Sequence, residues 1–401
     1  MKQQARAPSF CVVYITNYVG EDVERERLST SRSAAGDKKV EGLVEAMRSR
    51  GIPVAVVSPG WKECRASGRF FPSVVQRKRG VPFLFASYLD MPVLNWLVCL
   101  WSLTDQTIKA HRSLPGAKRI LIYNRDLRQV LPAIVARLLF GSRLYAELEE
   151  ASEEDRETLG ILKRNYFRAL KALLDRFLAG AILASSTMRD RVATRNVMVC
   201  PGVFEGRDAP VLPDRLWSRL RVLYGASLDR LRGVDLLFEA MKILESRYPS
   251  EARKVTVIIC GRGCLPETMR REMGHFQELK VEFLGFISNA EYEEQLRHAH
   301  VGLSLNRIKG SMSSNVFPSK VVELMAAGKI VIASAVSDVP KVAAGRALIY
   351  YKDDPAVIAK HIAEVVADFA RYAVLGHRAA EWCAEHCSGQ AVGRQLETLF
   401  S

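Results

Sequence analysis

Short apolar runs alternate with stretches of helical period along the whole chain. Runs at 10–18, 53–58, 119–123, 143–148, 181–185 and 197–200 read as strands buried on both faces, which lose polar–apolar alternation. Between them, 37–50, 131–139 and 161–178 carry apolar residues at helical spacing. Asp37 stands where an N-cap would, and Gly51 where that helix would stop. The series restarts with strands at 221–224, 254–260, 281–284, 301–305 and 330–333 and helices at 234–247, 291–299 and 318–327. Two or three helices finish the chain. Residues 205–218, with two prolines and mixed charge, read as a linker. The pattern predicts an α/β protein of two doubly wound domains facing a central cleft, 1–204 and 205–375, with helices at 376–401 crossing back to the first. Ligands in such domains bind beyond the carboxyl ends of the strands.

A length of 401 residues, 48% hydrophobic, suits two domains and excludes a disordered chain. The most apolar stretch, 93–103, is shorter than the roughly 20 residues that cross a bilayer. It reads first as a buried helix and second as an interfacial one. The segment MKQQARAPSF lacks the apolar core of an export signal, so a cytoplasmic protein is expected. The eight cysteines form no C-x-x-C pair, and the histidines show no metal spacing; reduced, buried thiols and no metal site are expected.

Charge changes the picture more. Residues 1–204 hold 32 Lys+Arg against 20 Asp+Glu, and the remainder 26 against 24. The excess within the net +14 therefore sits in the first half, with clusters at Arg77-Lys78-Arg79 and Lys163-Arg164. A nucleic acid, an anionic membrane or a polyanionic substrate fits such a face, as does a merely soluble basic surface. The helix at 161–178 could lie on a membrane, or pack its apolar side on the sheet with its lysines and arginines solvated.

Candidate chemistry concentrates between Asn315 and Ala333. Pro318 suits the first turn of a helix, and Gly328 the position past its end. The amides around Val316 and Phe317 then present a helix N-terminus, which attracts anions. Lys320 in the first turn opposes the dipole unless an anion comes. Glu323, alone in an apolar run, can accept two hydrogen bonds from a vicinal diol. A chance Pro-Ser-Lys and a solvated glutamate would look the same. Asp353-Asp354 reads as a turn before Pro355, and Gly261-x-Gly263 is too short for a dinucleotide fingerprint.

Phe317-Pro318-Ser319-Lys320, the helix ending Glu323-Leu324-Met325-Ala326-Ala327-Gly328 and the strand Ile330 to Ser334 resemble the retaining family-4 (group 1) glycosyltransferases. Leu223-Tyr224-Gly225 followed by Arg232-Gly233-Val234 is similar to that family's phosphate loop and helix. Gly36, Tyr123-Asn124, Glu149-Glu150 and Pro201-Gly202-Val203 fit more loosely. The resemblance implies two Rossmann-like domains of GT-B type and a nucleoside diphosphate sugar as donor, with no cofactor and no metal. It implies that Arg232 and Lys320 neutralise the donor diphosphate, and that Gly225, Ser227, Asn315, Val316 and Phe317 line the phosphate and sugar. Glu323 would hold the ribose, and Gly285 and Phe286 the base. Gly36 would admit the sugar, and Glu149 is the candidate acid–base residue. Two positions depart from the family pattern. Asn315 stands where a glutamate is common, eight residues before Glu323, and Ala226-Ser227 where a basic residue often follows the loop glycine.

The expected function is sugar transfer, with retention, to a polysaccharide or lipid-linked acceptor. The expected location is the cytoplasm, peripheral on the inner membrane face, with no nucleic acid partner. A nucleotide-sugar epimerase of the same architecture and a non-catalytic glycosyltransferase-like partner are the alternatives.

Overall fold

The computed structural model describes residues 9–27, 34–60, 67–149, 161–205, 219–263, 267–308 and 316–401. The chain divides into two compact units, one formed by Met1–Val203 with Gly389–Ser401, the other by Phe204–Ser388.

The first unit runs β1 (Phe10–Ile15), α1 (Glu21–Glu26), α2 (Ala34–Ser49), β2 (Val54–Ser58), β3 (Phe70–Phe71), β4 (Val74–Lys78), β5 (Val81–Phe85) and β6 (Tyr88–Leu89). It continues α3 (Pro92–Ser113), β7 (Ala117–Tyr123), α4 (Leu127–Phe140), β8 (Arg143–Leu148), α5 (Ile161–Phe177), β9 (Leu178–Leu183) and β10 (Val197–Val199). Eight strands form one sheet in the order β10-β9-β8-β7-β1-β2-β5-β4, all parallel except the edge strand β4. The order reverses between β1 and β7, so this sheet is doubly wound about that point. The expected cluster Arg77-Lys78-Arg79 ends β4 and turns the hairpin into β5.

The second unit runs β11 (Leu220–Gly225), α6 (Val234–Arg247), α7 (Pro249–Ala252), β12 (Val255–Cys260), α8 (Glu267–Met273), β13 (Lys280–Gly285), α9 (Asn289–His298) and β14 (Val301–Ser304). It ends with α10 (Ser319–Ala326), β15 (Ile330–Ser334), α11 (Val339–Val342), β16 (Leu348–Tyr350), α12 (Pro355–Ala367) and α13 (Phe369–His386). Its six parallel strands follow β13-β12-β11-β14-β15-β16, reversing between β11 and β14. Asp354 caps α12, accepting from the Ala356 amide at 2.9 Å, while Asp353 accepts from Ile308 at 3.0 Å.

The last helix, α14 (Gly389–Phe400), belongs to the first unit. The return therefore comes after Ser388, not after residue 375. Packing explains the difference. A Cβ on Gly376 of α13 would stand 2.4 Å from the Gly328 oxygen, so α13 presses on the second unit. On α14, a Cβ at Gly393 would stand 2.5 Å from the Ala46 oxygen of α2, and Arg50 pairs with Glu397 at 2.7 Å. Phe400 is fully buried, edge-on to Phe10 and Tyr145.

Two further expectations are corrected. Asp37 is not an N-cap, since α2 begins at Ala34; its carboxylate instead accepts from the Val19 and Gly20 amides, both at 3.2 Å, and ties the β1 exit to the helix. The apolar run 93–103 forms part of α3 but is buried on one side only: Cys99 and Leu103 are buried, whereas Val93 is 80% exposed and Trp101 74%. Length and apolarity predicted the helix, but not which side would face the sheet. Most of the expected linker, 206–218, lies outside the described residues.

Candidate active site

In the second unit the carboxyl ends of β11 and β14 flank the point where the sheet order reverses, where doubly wound domains hold ligands. Gly225 ends β11. A Cβ there would stand 2.6 Å from the ring of Tyr292 on α9, so only glycine lets the strand end and this ring meet. The Tyr292 hydroxyl accepts from Lys320 Nζ at 3.1 Å and lies 3.4 Å from Glu323 Oε2. Lys320 Nζ also pairs with Glu323 at 2.5 Å and sits 4.2 Å from the Tyr292 ring centroid. Glycine, tyrosine, lysine and glutamate thus form one cluster.

Helix α10 delivers two of these groups. Pro318 is its N-cap rather than its first helical residue, and no side chain caps this end. The Val321 amide bonds to the Pro318 carbonyl at 2.9 Å, which leaves the first amides of the helix outside its internal bonding. Positions 320 and 323 fall on one side because three residues make nearly one turn. Glu323 thereby offsets Lys320 in the absence of a ligand, while Val321, Val322, Leu324 and Met325 bury the other sides. Phe317 is buried and Val316 half-buried; Asn315 lies outside the described residues.

Burial and the nearby Glu323 charge raise the Tyr292 phenol well above its usual range, so the hydroxyl stays protonated. Cys260, at the end of β12, is pushed up to about 11 by burial, with Lys320 opposing, and remains an unreactive thiol at neutral pH.

Arg232 ends a short 3₁₀ turn, Arg230–Arg232, capped by Asp229. Its carbonyl accepts from Tyr224 Oη at 2.9 Å, and its guanidinium lies 3.5 Å from Asn306 Oδ1 beyond β14. Gly233 follows at φ 78°, and a Cβ there would stand 2.0 Å from the Leu305 oxygen, which demands glycine. Arg232 is thus held at the β11–β14 reversal. Ser227 is exposed on the preceding loop, which Leu228 ties to the Arg262 carbonyl at 2.8 Å. Gly285 ends β13 and its carbonyl accepts from Gly261 at 2.8 Å. Phe286 is 66% exposed with the Arg262 guanidinium 4.7 Å from its ring centroid, forming a flat aromatic–cation platform.

The first unit holds a second cluster. Glu147 is the penultimate residue of β8, with its side chain fully buried; Tyr14 of β1 donates to one carboxylate oxygen, and Lys39 Nζ lies 3.6 Å from the other. Lys39, on α2, also pairs with Glu149 and donates to the Cys200 carbonyl at 3.0 Å. Asn124 Oδ1 accepts from the Glu149 amide at 2.9 Å and fixes the strand end. Glu149 is 18% exposed, so of the two carboxylates it is the one near solvent. Gly36 lies in the first turn of α2, three residues before Lys39.

Burial pushes the Glu147 carboxyl up to about 7; Lys39 opposes this and the Glu149 charge adds to it. An acid with a folded pKa above its unfolded value binds its proton first in the folded state. Its contribution to stability is therefore full below pH 4.5 and is lost as pH rises through 7. Lys39, itself raised by the two carboxylates, titrates above this window. Denaturation of the first unit should show stability falling with rising pH across that range, by at most about 1.4 kcal/mol per unit. Glu147→Gln should flatten the slope; an unchanged slope in that variant counts against the assignment.

Tyr292, Tyr14, Lys39 and Glu147 carry no sequence signal of their own. Gly225 hints at a close neighbour without naming it. Among the described residues no group of three or more His, Cys, Asp or Glu is placed to hold a metal ion.

Residues 219–368 match the family described as glycosyl transferases group 1. No curated protein sequence matches the chain. Solved structures of similar fold include HepE from Anabaena in complex with UDP, at TM-score 0.67 and 15% identity over 97% of this chain and 99% of that one. Sucrose-phosphate synthase from Thermosynechococcus elongatus matches at 0.67 and 17%, over 97% and 98%. An α,α-trehalose-phosphate synthase (UDP-forming) from Burkholderia xenovorans, in complex with glucose-6-phosphate, matches at 0.68 and 14%, over 98% and 100%. At these identities the likeness is one of fold, the two-domain GT-B type.

Proposed function

We propose, from the match of residues 219–368 to the group 1 glycosyltransferases, that the protein moves a sugar from a nucleoside diphosphate sugar to a saccharide or lipid-linked acceptor. The observation that carries this reading is the cluster of Gly225, Tyr292, Lys320 and Glu323 at the sheet reversal. Lys320, the uncapped start of α10 and Arg232 supply positive charge where a diphosphate would sit. Glu323 would exchange its lysine for ribose hydroxyls, and the Phe286–Arg262 platform would take the base. Uridine is the base to try first, since HepE of similar fold holds UDP.

In this reading transfer proceeds with retention and needs neither metal nor cofactor. The bond from the anomeric carbon to the diphosphate breaks, and the acceptor oxygen forms its bond on the same face. The acceptor proton passes to the leaving phosphate. Charge grows on the leaving oxygens as the bond breaks, and fixed cations there stabilise the transition state more than the ground state. Ser227, Val316, Phe317 and Asn315 would line the phosphate and sugar, with Gly285 beside the base. Glu149 and Gly36 belong to the acceptor-side unit. The finer expectation is polysaccharide or lipid-linked glycan assembly at the cytoplasmic membrane face.

An epimerase needs acid–base carboxylates that reach the sugar. Glu147 and Glu149 are the paired carboxylates of the first unit, but Glu147 is wholly buried and of the two it is Glu149 that approaches solvent. Transfer is therefore the favoured reaction.

A thermal-shift series over nucleoside diphosphates tests the reading. A bound nucleotide at a hundredfold excess over its Kd stabilises the folded state by about 2.7 kcal/mol. UDP is expected to raise the unfolding temperature of the wild type and to leave Lys320→Ala unmoved. No shift with any nucleoside diphosphate would overturn the proposal.

A further inference from the structure

The two helical layers of the first unit differ in character. Right-handed crossovers toward β10 place α3, α4 and α5 on one face of the sheet, and the oppositely directed step through α2 places that helix on the other, where α14 packs against it. The α2–α14 layer carries four Lys/Arg and four Asp/Glu. The three-helix layer carries nine Lys/Arg, two Asp and no Glu. Much of the basic excess of the N-terminal half therefore lies on one face.

On that face the first half of α3 turns most of its large apolar side chains outward and buries polar ones. Its buried side is mixed: beside Cys99 and Leu103, Asn95 Oδ1 accepts from the Leu89 amide at 3.2 Å, Ser102 Oγ accepts from the Ser87 amide at 2.8 Å, and Gln106 and Thr107 are buried below them. Its outer side is apolar. Val93, Leu97 and Trp101, spaced four apart on one stripe, are 80%, 57% and 74% exposed. Leu138 and Leu139 at the end of the neighbouring α4 are 74% and 61% exposed. A soluble surface does not gain from turning polar residues in and tryptophan out, so this stripe is built for a non-aqueous contact.

We propose that the three-helix face of the first unit docks on an anionic lipid bilayer. The Val93–Leu97–Trp101 stripe enters the interface, and Arg112, Arg168 and Lys171 meet the headgroups. Tryptophan and apolar side chains beside lysine and arginine are the composition that an anionic membrane interface selects. The helix lies on the bilayer without crossing it, since no described helix is long and apolar enough to span. This inference deepens the membrane-face part of the proposed function by naming the surface that docks, and its test does not depend on sugar transfer.

The test is sedimentation of the purified full chain with vesicles of equimolar phosphatidylglycerol and phosphatidylcholine, against phosphatidylcholine alone, at low and high salt. Binding to the anionic vesicles, weakened by salt, is expected. Leu97→Asp/Trp101→Asp and Arg168→Glu/Lys171→Glu should each lower partitioning by about tenfold or more. Circular dichroism and unfolding temperature should stay at wild-type values, because Leu97, Trp101 and Arg168 are exposed and Lys171 is only half-buried. Tryptophan quenching by brominated lipid should fall in Trp96→Phe/Trp101→Phe while sedimentation persists. Failure to bind anionic vesicles at low salt overturns the proposal, as does wild-type partitioning of the aspartate variant. Concentration-dependent self-association abolished by that variant, without vesicle binding, would overturn it in favour of a protein interface. The nucleotide thermal shift is read separately, so either proposal can fail alone.

Discussion

Lys320→Ala is expected to lower the rate of sugar transfer by about 10²–10³-fold, the effect typical of losing one preorganised group that meets developing charge. The lysine stands in the first turn of α10, where its charge opposes the helix dipole. Glu323, one turn on, and the Tyr292 hydroxyl hold it there. That arrangement serves an incoming diphosphate: the Tyr292 hydroxyl and ring keep the ammonium group in place when Glu323 turns to the ribose, so little side-chain entropy is lost on binding. The loss should appear in kcat as well as kcat/KM, because the leaving phosphates gain charge only as the bond breaks. Lys320→Arg should recover part of the rate by restoring charge without the compact ammonium geometry. Glu323→Gln should behave differently. A ribose contact made equally in ground and transition states raises the donor KM and leaves kcat nearly unchanged. Steady-state kinetics with varied donor separate the two. Lys320→Ala within about threefold of the wild-type rate would remove Lys320 from the machinery.

Lys39→Met is expected to destabilise the first unit by about 3–5 kcal/mol at alkaline pH, where Glu147 is charged, the range found when one partner of a buried ion pair is removed. Lys39 is the cation between Glu147 and Glu149, and Glu147 has no exposure to water. Without it two carboxylates face each other beneath α2, with the Tyr14 hydroxyl still donating to Glu147. The damage should shrink on acidification. Burial already pushes Glu147 up to about 7, and removing the lysine, which opposes that rise, moves it further up. Below that pKa the carboxyl is neutral and the lost cation matters less. Adding Glu147→Gln to Lys39→Met should recover most of the stability, since it removes the buried charge rather than its partner. Denaturant titrations at acidic and alkaline pH check this; a loss independent of pH, or no recovery in the double variant, would show that Lys39 acts by packing alone.

Much of the architecture was legible in the order of residues. Strands such as Val255–Cys260 and Ile330–Ser334 are continuous apolar runs because parallel strands are covered on both faces, and that cause acts within a few residues. The α10 segment was legible for the same reason. Pro318 and Gly328 bracket a helix through their own backbone preferences, and a spacing of three puts Lys320 beside Glu323 whatever surrounds them. Local signals misled where a side chain had a distant partner. Asp37 has the chemistry of an N-cap, yet it binds the amides of Val19 and Gly20, which only the return of the chain brings within reach.

The sequence by itself determined the two doubly wound units, the helix carrying Lys320 and Glu323, and the uneven charge, because each follows from periodicity, spacing or a count. Only the tertiary structure decided that Tyr292 closes on Gly225, that Lys39 of α2 lies between Glu147 and Glu149 of β8 and its exit, and that the return helix begins after Ser388. It also decided that α3 turns polar side chains inward and its tryptophans out. These features depend on which elements the crossovers bring together, and contacts between residues more than a hundred positions apart, such as Tyr14 with Glu147, leave no mark in the periodicity of either segment.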